Sequence, residues 1–173
     1  DPLERLKRVN WLLAQELERL KGQSKQVQLP PLTAVSSVGP APLSFSQMRV
    51  WYLDQLEPGS PAYNICLAYR LSGPLQVSAL QKSFDEILRR HASLRTTFHK
   101  QEGVALQIVR EAAALNPKLI DLTDLAAAER EPEALRLCNA ECHRGFDLQQ
   151  GPLFRILIFR VGMEDHILMM TVH

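Results

Sequence analysis

The 173 residues suffice for one domain with a sizeable core, and 20 basic against 19 acidic side chains leave a net charge of +1. That balance supplies no field for nucleic acid or for an anionic membrane surface. The hydrophobic fraction of 46% is ordinary for a globular protein, and no apolar run approaches the roughly 18–20 residues of a membrane span. The first twenty residues are charged throughout, unlike a signal peptide. Three cysteines, Cys66, Cys138 and Cys142, make an odd count that implies free thiols in a reducing, cytoplasmic setting. The chain starts at Asp1 rather than Met and stops at His173, at the tip of the apolar run 167–172, so it is expected to be a truncated piece.

Residues 1–22 read as a helix. Leu3, Leu6, Asn10, Leu13, Leu17 and Leu20 form a heptad seam about three repeats long, with Gly22 as a stop. Such a seam packs on its own domain, or serves as a docking or pairing helix. Residues 23–42, rich in Gln, Ser, Pro and Val without a period, form a linker, and the globular part spans 43–173.

Ser44 and Gln47 make a capping box for a helix carrying Met48, Trp51, Tyr52 and Leu56 on one face, ended by Pro58-Gly59. Strict alternation of Tyr63, Ile65, Leu67, Tyr69 and Leu71 predicts a strand over 62–72. Ser78 and Gln81 suggest a second capping box, before a helix to about His91 that buries Leu80, Phe84, Ile87 and Leu88. Short strands are expected at 94–99 and 104–110. Helices are expected at 123–130 and 132–144, with Pro132 in a first turn. The end is a hairpin: strands 153–161 and 166–172 joined by Gly162-Met163-Glu164-Asp165. The run 167–172 is too continuously apolar to be half-exposed, and predicts an interior strand covered on both faces. The fold class is therefore a layered α/β sandwich, a mixed sheet with flanking helices.

Cys138, Cys142 and His143 sit within one helical stretch, and cysteines at i and i+4 could offer two ligands to zinc. No second pair closes a four-ligand site, so no metal is assigned. Asp121 and Asp124 read as a helix cap rather than a carboxylate pair. Phosphate loops and a G-x-S-x-G nucleophile elbow are absent.

Five segments in fixed order carry a stronger signal. Ser44-Phe45-Ser46-Gln47-Met48-Arg49-Val50-Trp51-Tyr52-Leu53 resembles S-x-A-Q-x-R-hydrophobic-W-hydrophobic-L, with Ser46 in place of Ala. Pro58 to Ile65 is similar to the segment that comes next in the same family. Arg90-His91-Ala92-Ser93-Leu94-Arg95-Thr96-Thr97-Phe98 resembles R-H-E-x-L-R-T-x-F, with Ala92 in place of Glu. Phe146-Asp147-Leu148-Gln149-Gln150-Gly151-Pro152-Leu153-Phe154-Arg155 resembles F-D-L-x-x-G-P-L-x-R. Met169 to His173 resembles the approach to H-H-x-x-x-D-G, with His173 as its first histidine. In this order they resemble the condensation domain of nonribosomal peptide synthetases, over 43–173.

The resemblance implies a chloramphenicol acetyltransferase-like lobe, the N-terminal one of two. It implies amide formation between a donor acyl thioester and an acceptor aminoacyl thioester, each on the phosphopantetheine arm of a peptidyl or aminoacyl carrier protein, with no cofactor bound directly. The catalytic second histidine would come directly after His173, so His173 is the first, structural member of the motif and the fragment itself is expected to be inactive. The motif's aspartate would pair with Arg95, whose guanidinium can hold a carboxylate through two parallel hydrogen bonds. His91 and His99 are read as scaffold or surface. A stand-alone acyltransferase of the same superfamily is the alternative, and an epimerisation relative shares the paired histidines. A heterocyclising relative would carry aspartate where His173 stands. A non-catalytic reading makes the chain a docking module that pairs with another synthetase polypeptide, or with itself, through residues 1–22.

Overall fold

The computed structural model describes residues 39–173, with Gln15 and Pro31 before them. The chain divides into two units, Asp1–Ser36 and Ser37–His173. The expected helix over 1–22 and nearly all of the linker lie outside the described residues.

The second unit runs through β1 (Ala41–Pro42), α1 (Phe45–Leu56), a 3₁₀ turn (Pro61–Tyr63), β2 (Ile65–Ser72), α2 (Val77–Arg90), a second 3₁₀ turn (Ala92–Arg95), β3 (Thr96–Gln101), β4 (Val104–Val109), β5 (Lys118–Asp121), α3 (Ala127–Cys142), β6 (Phe154–Gly162) and β7 (Asp165–Val172). These elements build a four-stranded sheet in the order β2-β7-β6-β5 and a small sheet in the order β1-β4-β3. In the large sheet β2, β7 and β6 are antiparallel, and β5 joins β6 in parallel through α3. This is the mixed α/β lobe expected from the sequence.

Register decides what each face buries. Tyr69 pairs with Leu168, which pairs with Ile158, so these three share one face. That face packs with Phe84 and Leu88 of α2. Ile167 pairs with Phe159 on the opposite face, where Ala134 and Cys138 of α3 cover them. The final strand takes the interior position expected of it: Ile167, Leu168 and Met169 are all buried. The hairpin turn is also where the residues placed it, with Gly162 paired to Asp165.

Several local expectations are corrected. The predicted capping box of α2 does not form: the helix starts at Val77 after Gln76, so Ser78 lies inside it, and Gln81 instead donates to Asn116 Oδ1 at 3.3 Å. Ile87 remains 41% exposed although Phe84 and Leu88 are buried. The two predicted helices around Pro132 are one helix, α3, with Pro132 inside it. The ring forfeits a backbone bond there, a loss that packing of Ala134 and Cys138 against the sheet offsets. Asp121 caps no helix: its carboxylate accepts from the Thr123 N–H at 2.9 Å and hydroxyl at 2.6 Å, closing a tight turn. The short β5 and β1 have no counterpart in the sequence expectations, β1 falling at the end of the stretch read as linker. No helix among the described residues is long and apolar enough to cross a membrane.

Candidate active site

The capping box of α1 forms as expected. Ser44 N donates to Gln47 Oε1 at 2.8 Å, and Gln47 N donates to Ser44 Oγ at 3.2 Å. The face expected to pack does not: Met48, Tyr52 and Leu56 are exposed, and α1 buries no residue fully. Trp51 alone packs inward, against the cluster of Phe146, Leu148 and Leu153. The helix lies at an open edge of the unit, tied to the small sheet by Gln47, whose Nε2 donates to Gln107 Oε1 at 3.2 Å.

The F-D-L segment is folded by its own aspartate. Asp147 Oδ1 accepts from Gln149 N at 2.9 Å and Gln150 N at 3.0 Å, and Asp147 O accepts from Gly151 N at 2.9 Å. This turn presents Leu148, whose carbonyl accepts from Phe98 N at 2.8 Å and joins the segment to β3. Gly151 takes φ +62°, a conformation that favours glycine, and a Cβ there would also press on Thr97 Cγ2 at 3.0 Å.

A clamp that sequence reasoning missed holds the segment from below. Arg155 Nε donates to Glu141 Oε1, Nη1 to Gly145 O at 3.0 Å, and Nη2 to Arg144 O at 2.6 Å. Its guanidinium lies 3.6 Å from the centre of the Phe146 ring. Asn64 fastens the same loop from the other side, donating to Cys142 O at 2.9 Å and Arg144 O at 3.0 Å. Gly145 abuts Gly59 so closely that a Cβ would fall 1.9 Å from the Gly59 carbonyl oxygen. The signals in the sequence were Arg155 closing the F-D-L motif and Asn64 in the Pro58–Ile65 segment.

His173 sits where these pieces meet. Its backbone N–H donates to Leu153 O at 3.1 Å, and its ring stands edge-on to Phe146 with centroids 6.1 Å apart. A cavity of about 310 Å³ opens beside it, walled by Ser46, Val50, Trp51, Tyr63, Phe98 and Leu148. A second hollow, lined by Leu53, Asp54 and Glu57 among others, also ends on His173. Burial pushes the His173 imidazole below its ordinary value of 6.5, with the Asp54 carboxylate opposing weakly. It is therefore neutral at physiological pH. An NMR titration of this ring is expected to give a midpoint below 6.5, and a midpoint above it would mean that the Asp54 charge wins. By linkage the buried neutral ring contributes its stability above pH 6.5 and loses it as pH falls below that value, because the unfolded chain then binds the extra proton.

Arg95 is not at this cavity. Its Nη1 donates to Arg110 O, and its Nε is buried without a partner among the described residues. It borders a separate hollow of about 200 Å³ with Arg110, Thr97 and Gln150. His91 is an exposed helix end, and His99 is engaged by Thr97 Oγ1 at 2.9 Å and Arg110 Nη2 at 3.0 Å. Cys138 and Cys142 of α3 pack in one cluster with Cys66 of β2, a meeting that spacing along the chain did not show. Burial raises the Cys138 and Cys142 thiols, the latter to about 11 with help from its contact with Cys66, so both stay protonated and unreactive at neutral pH. His143 Nδ1 bonds the Asn139 carbonyl at 2.8 Å.

The arrangement can hold an apolar group against a desolvated imidazole at the end of a rigid strand. All five of the resembling segments contribute to that one place, and comparisons with known proteins agree. The condensation-domain family model matches residues 38–173. Phosphinothricin tripeptide synthetase PhsC of Streptomyces viridochromogenes is 42% identical over 137 residues, which are 78% of this chain and 12% of the synthetase. Cyclosporin synthetase simA of Tolypocladium inflatum is 41% identical over 140 residues, 78% of this chain and 1% of that synthetase. Among solved structures, a mutant of the starter condensation domain of rhizomide synthetase RzmA superimposes with a TM-score of 0.71 at 25% identity, over 78% of this chain and 30% of that one. The first condensation domain of the CDA synthetase gives 0.69 at 21% identity, over 79% of this chain and 36% of that one, and shows the same fold. The chain thus spans a small part of these synthetases and about a third of a solved condensation domain, and on its sequence and its fold alike it belongs to the condensation-domain family.

Proposed function

We propose that the domain to which this chain contributes joins two carrier-bound substrates by an amide bond. The acceptor amine attacks the carbonyl of the donor thioester. A C–N bond forms, the C–S bond breaks, and the phosphopantetheine thiol leaves with a proton. The observation that carries the reading is the convergence of α1, Phe98, Leu148 and the end of β7 on one cavity at His173. In this reading His173 positions the strand end through its bond to Leu153 O and its packing on Phe146, and the next residue of the motif meets the amine. An imidazole at that next position, beside the same apolar wall, suits proton acceptance or amine orientation. The phosphopantetheine arms reach the site as substrates, and the partners are the donor and acceptor carrier proteins.

The test uses the complete domain, extended past His173, with separately loaded donor and acceptor carrier proteins. Amide product detected by intact-protein mass spectrometry is expected. The 173-residue chain alone should give none above a no-enzyme control, since it lacks the second histidine and the opposing lobe that would preorganise the reactants. Product from the short chain, or none from the complete domain with any tested pair, would sink the reading.

A further inference from the structure

Asn64 follows the first 3₁₀ turn with extended backbone, φ −69° and ψ 129°, one residue before β2. Ile65 pairs with Val172 and Cys66 with Thr171. Continued by one position, this antiparallel register sets Asn64 opposite His173, and opposed residues send their side chains to the same face. The contacts on that face agree. The Asn64 amide donates to Cys142 O and Arg144 O, at the end of α3 and just past it. The His173 ring leans on Phe146, two residues further along the same loop. Tyr63, the neighbour of Asn64, walls both hollows that end on His173.

Both side chains have bonding capacity left over. The Asn64 Nδ2 group has two acceptors, but Asn64 Oδ1 is buried and accepts nothing among the described residues. A buried acceptor of this kind is costly unless a donor reaches it. The His173 ring makes no hydrogen bond among the described residues; burial and the Asp54 charge are what act on it. A neutral imidazole carries one N–H donor, and the partner it finds decides which nitrogen bears the proton. The Cβ atoms of opposed residues lie about 4.5–5.5 Å apart, a span that an amide oxygen and a ring nitrogen can close. Thr171 Oγ1 is also buried and unpartnered on this face, but Thr171 stands opposite Cys66. That puts it on the longer diagonal from Asn64, about 7–8 Å away.

We propose that Asn64 is a positioning residue: its Oδ1 accepts the ring N–H of His173 and fixes the tautomer and plane of that imidazole at the end of β7. Asn64 Nδ2 and Arg155 Nη2 share Arg144 O, so the same amide ties the His173 ring to the Arg155 clamp and to the loop bearing Phe146. The strand end is then held twice, through its backbone by Leu153 O and through its side chain by Asn64. The charged groups around the ring are Asp54 on α1 and, beyond Phe146, the Arg155–Glu141 pair. The bond rests on the register and the unfilled acceptor; only its effect on turnover rests on the condensation reading.

Nitrogen-edited NMR of the complete domain, labelled at histidine, reads the ring directly, with His173 assigned by the signal lost in His173→Gln. One fixed tautomer is expected in the unsubstituted domain. Asn64→Leu should release it to a mixture and lower kcat on the order of tenfold, while KM for the two loaded carrier proteins stays within about twofold. Asn64→Asp should raise the His173 titration midpoint by about one pH unit or more, because a carboxylate then faces the ring. Thr171→Val, the control, should change neither tautomer nor kcat. A ring averaged between tautomers in the unsubstituted domain overturns the proposal even where no variant folds. So does an unchanged tautomer in folded Asn64→Leu, an unchanged midpoint in folded Asn64→Asp, or a Thr171→Val variant that reproduces the loss. An inactive domain whose ring answers to Asn64 leaves the bond standing while the condensation reading fails. An active domain whose ring ignores Asn64 refutes this proposal alone.

Discussion

Arg155→Ala is expected to destabilise the domain by about 3–5 kcal/mol, a typical cost of removing one partner from a buried ion pair. The side chains of Arg155 and Glu141 are 16% and 9% exposed, so solvent screens the pair little. Loss of the guanidinium strands the Glu141 carboxylate and frees the carbonyls of Arg144 and Gly145. It also uncovers Phe146, against which the His173 ring rests. Arg144→Ala is the control: Arg144 meets the same Glu141 at 3.5 Å but is 67% exposed, and such contacts contribute about 0–1 kcal/mol. Urea unfolding of both variants, in the complete domain, measures the difference. The double change Arg155→Met with Glu141→Leu should recover much of the loss, because it removes both charges while keeping volume. Equal stability of Arg155→Ala and Arg144→Ala would show that the pair contributes nothing.

Arg95→Ala, in the complete domain, is expected to lower turnover sharply and stability by about 3 kcal/mol, with carrier-protein affinity little changed. The buried Nε of Arg95 has no acceptor among the described residues, and a hollow bordered by Arg110 and Gln150 lies open beside it. Such a donor calls for an acid from elsewhere in the domain, and the aspartate of the motif begun by His173 is the proposed one. Arg95→Lys should rescue only partly, since an ammonium cannot make two parallel bonds to a carboxylate. Arg90, exposed at the end of α2, is expected to tolerate alanine. The readouts are thermal melting and single-turnover amide formation on the two alanine variants side by side. Wild-type behaviour of Arg95→Ala together with collapse of Arg90→Ala would assign the structural role to the wrong arginine.

The sequence by itself determined what depends on neighbours within one turn or one strand. The Ser44–Gln47 capping box needs only residues three apart, and it forms. The continuous apolar run at 167–172 predicts an interior strand, and β7 buries Ile167, Leu168 and Met169 between α2 and α3, with Met170 and Val172 partly buried. The order of the motif segments along the chain is enough to indicate the family. Tertiary structure decided what depends on distant partners. The alternation at 65–71 marks a strand but not its surroundings: Leu71 packs against the cluster under α2, whereas Ile65, Leu67 and Tyr69 stay exposed. The same holds for Met48, Tyr52 and Leu56 on α1, apolar by spacing yet exposed. Pro132 resembles a boundary because local propensity ignores the packing of Ala134 and Cys138 that carries α3 through it. The Glu141–Arg155 clamp, the meeting of Cys66 with Cys138 and Cys142, and the separation of Arg95 from the His173 cavity were invisible in the sequence for one reason. Each depends on which strands pair and in what register, and a one-residue shift would send every one of those strand side chains to the other face.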